Sequence, residues 1–148
     1  MTAKEKLRML GRMELYIHSK KERLAVLKEM SRTVSSSKFD DMPKSSNRGR
    51  SKLEETVLKC IDLEKEIKED EERLENEKLM ILELIGRIAE PEYQTVLISR
   101  YFKHKSWEDI ANGLFYTKRW IYSLHGKALS AVSYTHLTLP TNREVEIS

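Results

Sequence analysis

The chain has 148 residues, of which 34% are charged and only 7% aromatic, with five Gly and three Pro; this composition suits long helices and argues against a β-rich core. A single cysteine, Cys60, excludes a disulfide framework and any cysteine-rich zinc site, and suits a reducing compartment. The net charge of +3 conceals an uneven layout: 13 basic and 6 acidic residues over Met1–Arg50, 7 and 13 over Ser51–Glu90, and 6 and 3 over Pro91–Ala131.

The chain opens with a helix, predicted from about Ala3 to Met30 and capped by Thr2. Leu10, Met13, Ile17, Leu24 and Leu27 recur on it at near-heptad spacing, interrupted by Lys20 and Lys21. The following stretch, SRTVSSSKFDDMPKSSNRGRS (residues 31–51), is rich in Ser and contains Pro43 and Gly49. It reads as a flexible linker, long enough to be partly disordered.

A second helix is predicted from about Lys52 to Ala89. Along it Leu53, Cys60, Ile67, Leu74, Ile81 and Ile88 repeat at an unbroken interval of seven, with Leu63, Leu84 and Ile85 widening the seam. Such a repeat points to a coiled coil or helical hairpin. Its middle, KEIKEDEERLENEK, offers little apolar surface beyond Ile67 and Leu74, so it must pair with something. The first helix folded back antiparallel is one partner and a second copy of the chain is the other. The opposite charges of the two helices favour either pairing, at only ~0.2–1 kcal/mol per exposed pair.

Glu90-Pro91 ends that helix and opens the next, with proline where a first turn tolerates it. Tyr93, Val96, Leu97, Tyr101 and Phe102 give this third helix a large apolar face, and Trp107 and Trp120 are expected in the same core. Then comes SWEDIANGLFYTKRWIYSLHGKAL (Ser106–Leu129), two short helices around a tight turn: the pattern of a helix-turn-helix. Ser106 caps the first, with Asp109 as capping-box partner, and Ile110, Ala111 and Leu114 share its inner face. Thr117 caps the second, on which Ile121, Leu124 and Ala128 recur at spacings of three and four. The turn holds Phe115 where glycine is favoured. Either the turn has another geometry or the site carries strain.

Two resemblances follow from these residues. PEYQTVLISRYFKHKSWEDIANGLFYTKRWIYSLHGKAL resembles the DNA-binding region 4 of sigma-70 family factors, where an L-x-x-R-Y segment precedes an E-D/E-I-A helix-turn-helix. The stretch from MTAKEKLRML to HGKAL is similar to a family of short phage and prophage proteins that end in such a unit. MTAKE (Met1–Glu5), DMP (Asp41–Pro43), VLKCIDLEKEI (Val57–Ile67), RYFKHKSWEDIA (Arg100–Ala111) and LHGKAL (Leu124–Leu129) carry it. The resemblance implies a phage-type transcriptional regulator, and Phe115 departs from the family's usual glycine.

The tail stands apart. VSYTHLTLPT (Val132–Thr141) reads as a translated transposase mosaic-end adapter from library preparation. Residues 132–148 are therefore expected to be a disordered artefact without function, with the second helix of the motif ending near Leu129 and the natural terminus shortly after.

The expected fold is all-α. A long amino-terminal helical hairpin or coiled coil (1–90), with its linker at 31–51, precedes a small three-helix helix-turn-helix domain (91–131). The expected function is sequence-specific binding of double-stranded DNA. Lys118, Arg119, Tyr122 and Ser123 lie opposite the Ile121/Leu124/Ala128 face and would reach bases, alongside Thr117, while Lys103, Lys105 and Lys127 would hold phosphates. RNA polymerase and a homodimer through the long helices are the further candidate partners. The alternative is a coiled-coil adaptor whose helix-turn-helix docks protein. No enzymatic activity, cofactor or metal is expected, because there is no phosphate-binding glycine loop and no His/Cys cluster; His18, His104, His125 and His136 are scattered, with His125 read as covering the core edge in preference to contacting phosphate. No apolar run approaches the ~20 residues of a membrane span, and the amino terminus has no signal-peptide core. The expected location is the bacterial cytoplasm, at the nucleoid.

Overall fold

The computed structural model describes the backbone of residues 2–37 and 46–147, and the side chains of 2–33 and 51–133. Five helices follow one another: α1 (Ala3–Ser37), α2 (Ser46–Gly86), α3 (Pro91–Tyr101), α4 (Trp107–Leu114) and α5 (Lys118–Ile147). The described residues contain no strand, so the all-α expectation holds. No described helix is long and apolar enough to cross a membrane.

The chain forms two compact units, one of Met13–Leu74 and one of Met1–Arg12 with Glu75–Ser148. In the first unit, α1 and α2 bury complementary seams. Ile17 is buried on α1, with Met13, Leu24 and Leu27 half-buried; Cys60, Leu63, Ile67 and Leu74 are buried on α2. The heptad repeat legible in the sequence is thus the packing face.

Lys20, which interrupts the apolar stripe of α1, is where the two seams are tied. Lys20 and Asp70 both stand at seam positions, with side chains 19% and 17% exposed, and form a short ion pair. Lys20 Nζ also lies 2.9 Å from Glu66 Oε1, and Lys21 Nζ lies 2.9 Å from Glu71 Oε2. Hydrogen bonds to Asp70 and then Glu66 hold the Lys20 ammonium above the usual lysine range. These pairs also set direction. Ser37 and Ser46 are nine steps apart, a reach of at most about 32 Å. A parallel arrangement would need about 55–60 Å at 1.5 Å per helical residue, so α1 and α2 are antiparallel. The intramolecular hairpin is therefore the pairing that occurs within this chain.

The helices extend further into the linker than the sequence suggests. α1 continues from Met30 to Ser37 and α2 begins at Ser46, because an established helix adds one hydrogen bond for each residue it fixes. The expected disorder of the linker now concerns residues 38–45, which lie outside the described residues.

In the other unit, Thr2 and Glu5 form a reciprocal capping box: Glu5 N–H donates to Thr2 Oγ1 (3.2 Å) and Thr2 N–H to Glu5 Oε2 (3.1 Å). Ala3, Leu7 and Leu10 are buried, as are Ile81, Leu84, Ile85 and Ile88. α2 stops at Gly86 rather than Ala89, and the chain tightens there: Arg87 N–H donates to Leu84 O and Ile88 N–H to Ile85 O. Gln94 Nε2 then donates to Ile88 O at 2.6 Å, tying the start of α3 to the connection that precedes it. Pro91 occupies the first turn of α3.

α5 packs on both α3 and α4, and α3 on α4. Their core is Val96, Ile110, Ala111, Ile121 and Leu124, with Tyr93, Trp107 and Leu114 against it. α5 does not stop near Leu129: it runs on to Ile147, and Val132 is buried. Val132 lies four residues after Ala128 and so continues the same apolar stripe. The tail expected to be disordered begins at residue 132, and Val132 is buried; the side chains of residues 134–148 lie outside the described residues.

Replacing Lys20 by Met should destabilise the chain by about 1–3 kcal/mol, because Asp70 is left without its main partner in the seam. The double change Lys20→Met with Asp70→Leu should recover most of that loss. Urea unfolding of the three proteins measures both effects.

Candidate nucleic-acid interface

Local capping chemistry builds the α4–α5 unit. Ser106 adopts extended backbone (φ −70°, ψ 158°) and its Oγ accepts from Asp109 N–H at 3.1 Å. Glu108 and Asp109 complement the positive end of the α4 dipole. At the far end Phe115 takes the left-handed conformation (φ 60°, ψ 37°). Tyr116 N–H donates to Ala111 O (2.9 Å) and Phe115 N–H to Asn112 O (3.3 Å), which is the Schellman closure that glycine normally serves. Of the two possibilities open in the sequence, the strained one holds: the turn keeps its geometry, and a phenylalanine there costs about 1 kcal/mol or more. Thr117 Oγ1 then accepts from Trp120 N–H at 3.1 Å and α5 begins.

The core divides α5 into two faces. Ile121, Leu124 and Ala128 are buried, whereas Lys118, Arg119, Tyr122 and Ser123 are all exposed. The structure therefore gathers these four expected residues on one side of one helix. Thr117, also exposed, serves as the cap. Lys127 lies further along α5, with its Nζ 5.2 Å from the centroid of the Trp120 ring.

Lys103 and Lys105 are exposed on the α3–α4 connection. Lys105 N–H donates to Ser99 O (3.0 Å), and Arg100 Nη1 donates to Lys105 O (3.1 Å). His104 between them has φ 55°.

An aromatic cluster props α5 from beneath. The Trp107 ring meets His125 at 4.7 Å and Tyr122 at 5.4 Å, edge to face, and the Arg100 guanidinium lies 4.4 Å over it. The Tyr122 ring is thereby leaned against Trp107 while staying half exposed. His125 stacks on Tyr101, and its Nε2 is 2.8 Å from the Tyr101 hydroxyl. Burial pushes His125 below the usual histidine range, and the positive charges of Arg100 and Lys4 push the same way. Burial raises Tyr101, against Arg100 and Arg8. Both groups are neutral near pH 7, so the hydroxyl can donate to the imidazole. His125 belongs to the core edge, in agreement with the expectation.

Trp120 is a correction. It is 43% exposed rather than part of the core, and its ring sits edge-on to Tyr116 at 6.3 Å. Trp120 lies one residue before Ile121 and four before Leu124, at the border of the buried stripe, where periodicity does not assign a side. Exposed Phe115, Tyr116 and Trp120 were not foreseen as surface residues. The signal for Phe115 was its bulk at a glycine position.

Compared with known proteins, the chain matches no family model, no curated protein and no solved structure.

Stability should fall as pH drops through about 6.5, the unfolded histidine value, towards the lower value of folded His125, because the unfolded state takes up the proton first. Thermal melts at pH 7.5 and 5.5 should show a smaller loss for His125→Gln than for the parent chain. Separately, Thr117→Ala should cost about 1 kcal/mol by removing the α5 cap, read from urea midpoints.

Proposed function

We propose that the chain is a sequence-specific DNA-binding regulator of phage or prophage type, which uses α4 and α5 as a helix-turn-helix. The observation that carries this reading is the clustering of Lys118, Arg119, Tyr122 and Ser123 on the solvent side of α5, with Ile121, Leu124 and Ala128 locked inward. A second helix presented this way matches the docking geometry in which its first turns meet base edges in the major groove. The first turn of α5 contains no acidic residue, and so does not repel phosphate. The likeness of residues 91–129 to sigma-70 region 4 supports the same reading.

Lys118 and Arg119 would read guanine edges, and Lys103, Lys105 and Lys127 would hold phosphates. RNA polymerase contact, a homodimer through the long helices and a place at the nucleoid belong to this proposal, as does the absence of catalysis. A second reading, a coiled-coil adaptor that docks protein, is favoured by the exposure of Phe115, Tyr116 and Trp120.

Titration of the full chain against random-sequence duplex at several salt concentrations tests the proposal. Three phosphate-bound lysines predict a slope of log K against log salt of about −3. Each of Lys103→Ala, Lys105→Ala and Lys127→Ala should flatten it by about 1, and Lys118→Ala and Arg119→Ala should relax sequence preference in a selection from a random library. Absence of salt-sensitive binding at micromolar protein overturns the reading.

A further inference from the structure

The turn before α5 carries an apolar ring for which the fold has no internal use. Phe115 is 92% exposed, so it adds nothing to the core. It also occupies a left-handed backbone position (φ 60°) that glycine would fill without strain. An outlier of this kind, at a surface position that packing does not require, points to a contact made outside the chain.

Its placement narrows what that contact is. Phe115 lies two residues ahead of the Thr117 cap, at the end of α5 that a recognition helix directs at base edges. Lys118 and Arg119 follow immediately, exposed, and Lys127 stands over the neighbouring Trp120 ring. Apolar surface set among cations at an acid-free helix start fits a polyanion that also presents apolar groups. In the major groove the distinctive apolar group is the C5-methyl of thymine, a known partner of phenylalanine.

We propose that Phe115 reads a thymine methyl in the major groove, with Tyr116 and Trp120 forming the adjoining apolar rim. This inference rests on the DNA-binding reading above and deepens it: at one position of the target, the chain distinguishes thymine from cytosine and uracil by contact with the methyl carbon. The cost of the strained turn is then offset in the complex rather than in the free protein.

The test uses the full chain and a duplex selected by it from a random library. Thymines are replaced by uracil one at a time, which removes the methyl and keeps the base pair. For the parent chain, one position should lose about fourfold in affinity, the scale of one buried methyl. Phe115→Gly and Phe115→Ala should show no loss at that position. Phe115→Gly should also melt about 2–4 °C higher than the parent, since the turn is relieved, so weaker binding by it is not unfolding. Equal thymine-to-uracil penalties in parent and variants overturn the inference, as does the absence of any penalty in the parent; in both cases salt-sensitive duplex binding leaves the DNA reading standing. If the parent chain binds no duplex at all, the DNA reading fails and takes this inference with it.

Discussion

Five buried side chains, Val96, Ile110, Ala111, Ile121 and Leu124, decide what the carboxy-terminal helices can present. They come from three helices, and no one of those helices buries its face without the other two. Ala111 is the pivot of the set: a methyl at that point lets α4 approach its neighbours, and a larger side chain would force them apart. Once Ile121 and Leu124 are committed to this core, the 3.6-residue period sends Lys118, Arg119, Tyr122 and Ser123 to solvent. The aromatic group of Trp107, Tyr122, His125 and Tyr101 then limits rotation of α5 about its axis. Charge and aromatic character on the exposed side are thus consequences of an apolar constraint on the hidden one.

The hairpin unit of Met13–Leu74 obeys a different balance. Its α2 seam is apolar at Cys60, Leu63, Ile67 and Leu74, but Asp70 interrupts it, as Lys20 interrupts the seam of α1. Leucine at both positions would bury more apolar area and would tolerate neighbouring registers. A lysine that must meet Asp70 and Glu66 together does not; a seam polar pair penalises every register that separates it. The opposite net charges of the first and second helices reach their structural effect through these few contacts, and the rest of the surface charge contributes little.

Phe115 stands at the meeting point of folding and presentation. The turn needs its two backbone hydrogen bonds, from Tyr116 to Ala111 and from Phe115 to Asn112, to bring α5 onto α4. Those bonds impose the left-handed conformation whatever residue occupies the position. A phenylalanine accepts it only because the helices on either side over-determine the turn.

Helix identity and facing were largely legible in the sequence, since they depend on local rules. The seven-residue repeat, with Leu63, Leu84 and Ile85 beside it, marked the packing face of α2, and the spacing of Ile121, Leu124 and Ala128 separated the two faces of α5. Thr2, Ser106 and Thr117 were recognisable as caps because a hydroxyl at a helix start has one nearby set of donors. The candidate interface residues could be chosen by the same periodicity. What remained out of reach depended on tertiary context. The stripe that includes Lys20 looks broken until Asp70 and Glu66 arrive from the other helix. Trp120, expected in the core, borders the buried stripe of α5, and its ring settles instead beside Tyr116 and Lys127, exposed. Composition marks where α1 is weak but not how far it propagates, to Ser37; the expected end of α5 near Leu129 rests on reading the next residues as a translated adapter, whereas the helix continues and Val132 is buried. The turn at Phe115 was ambiguous for the same reason: sequence states the cost of the left-handed conformation, and only the packed helices on both sides make the chain bear it.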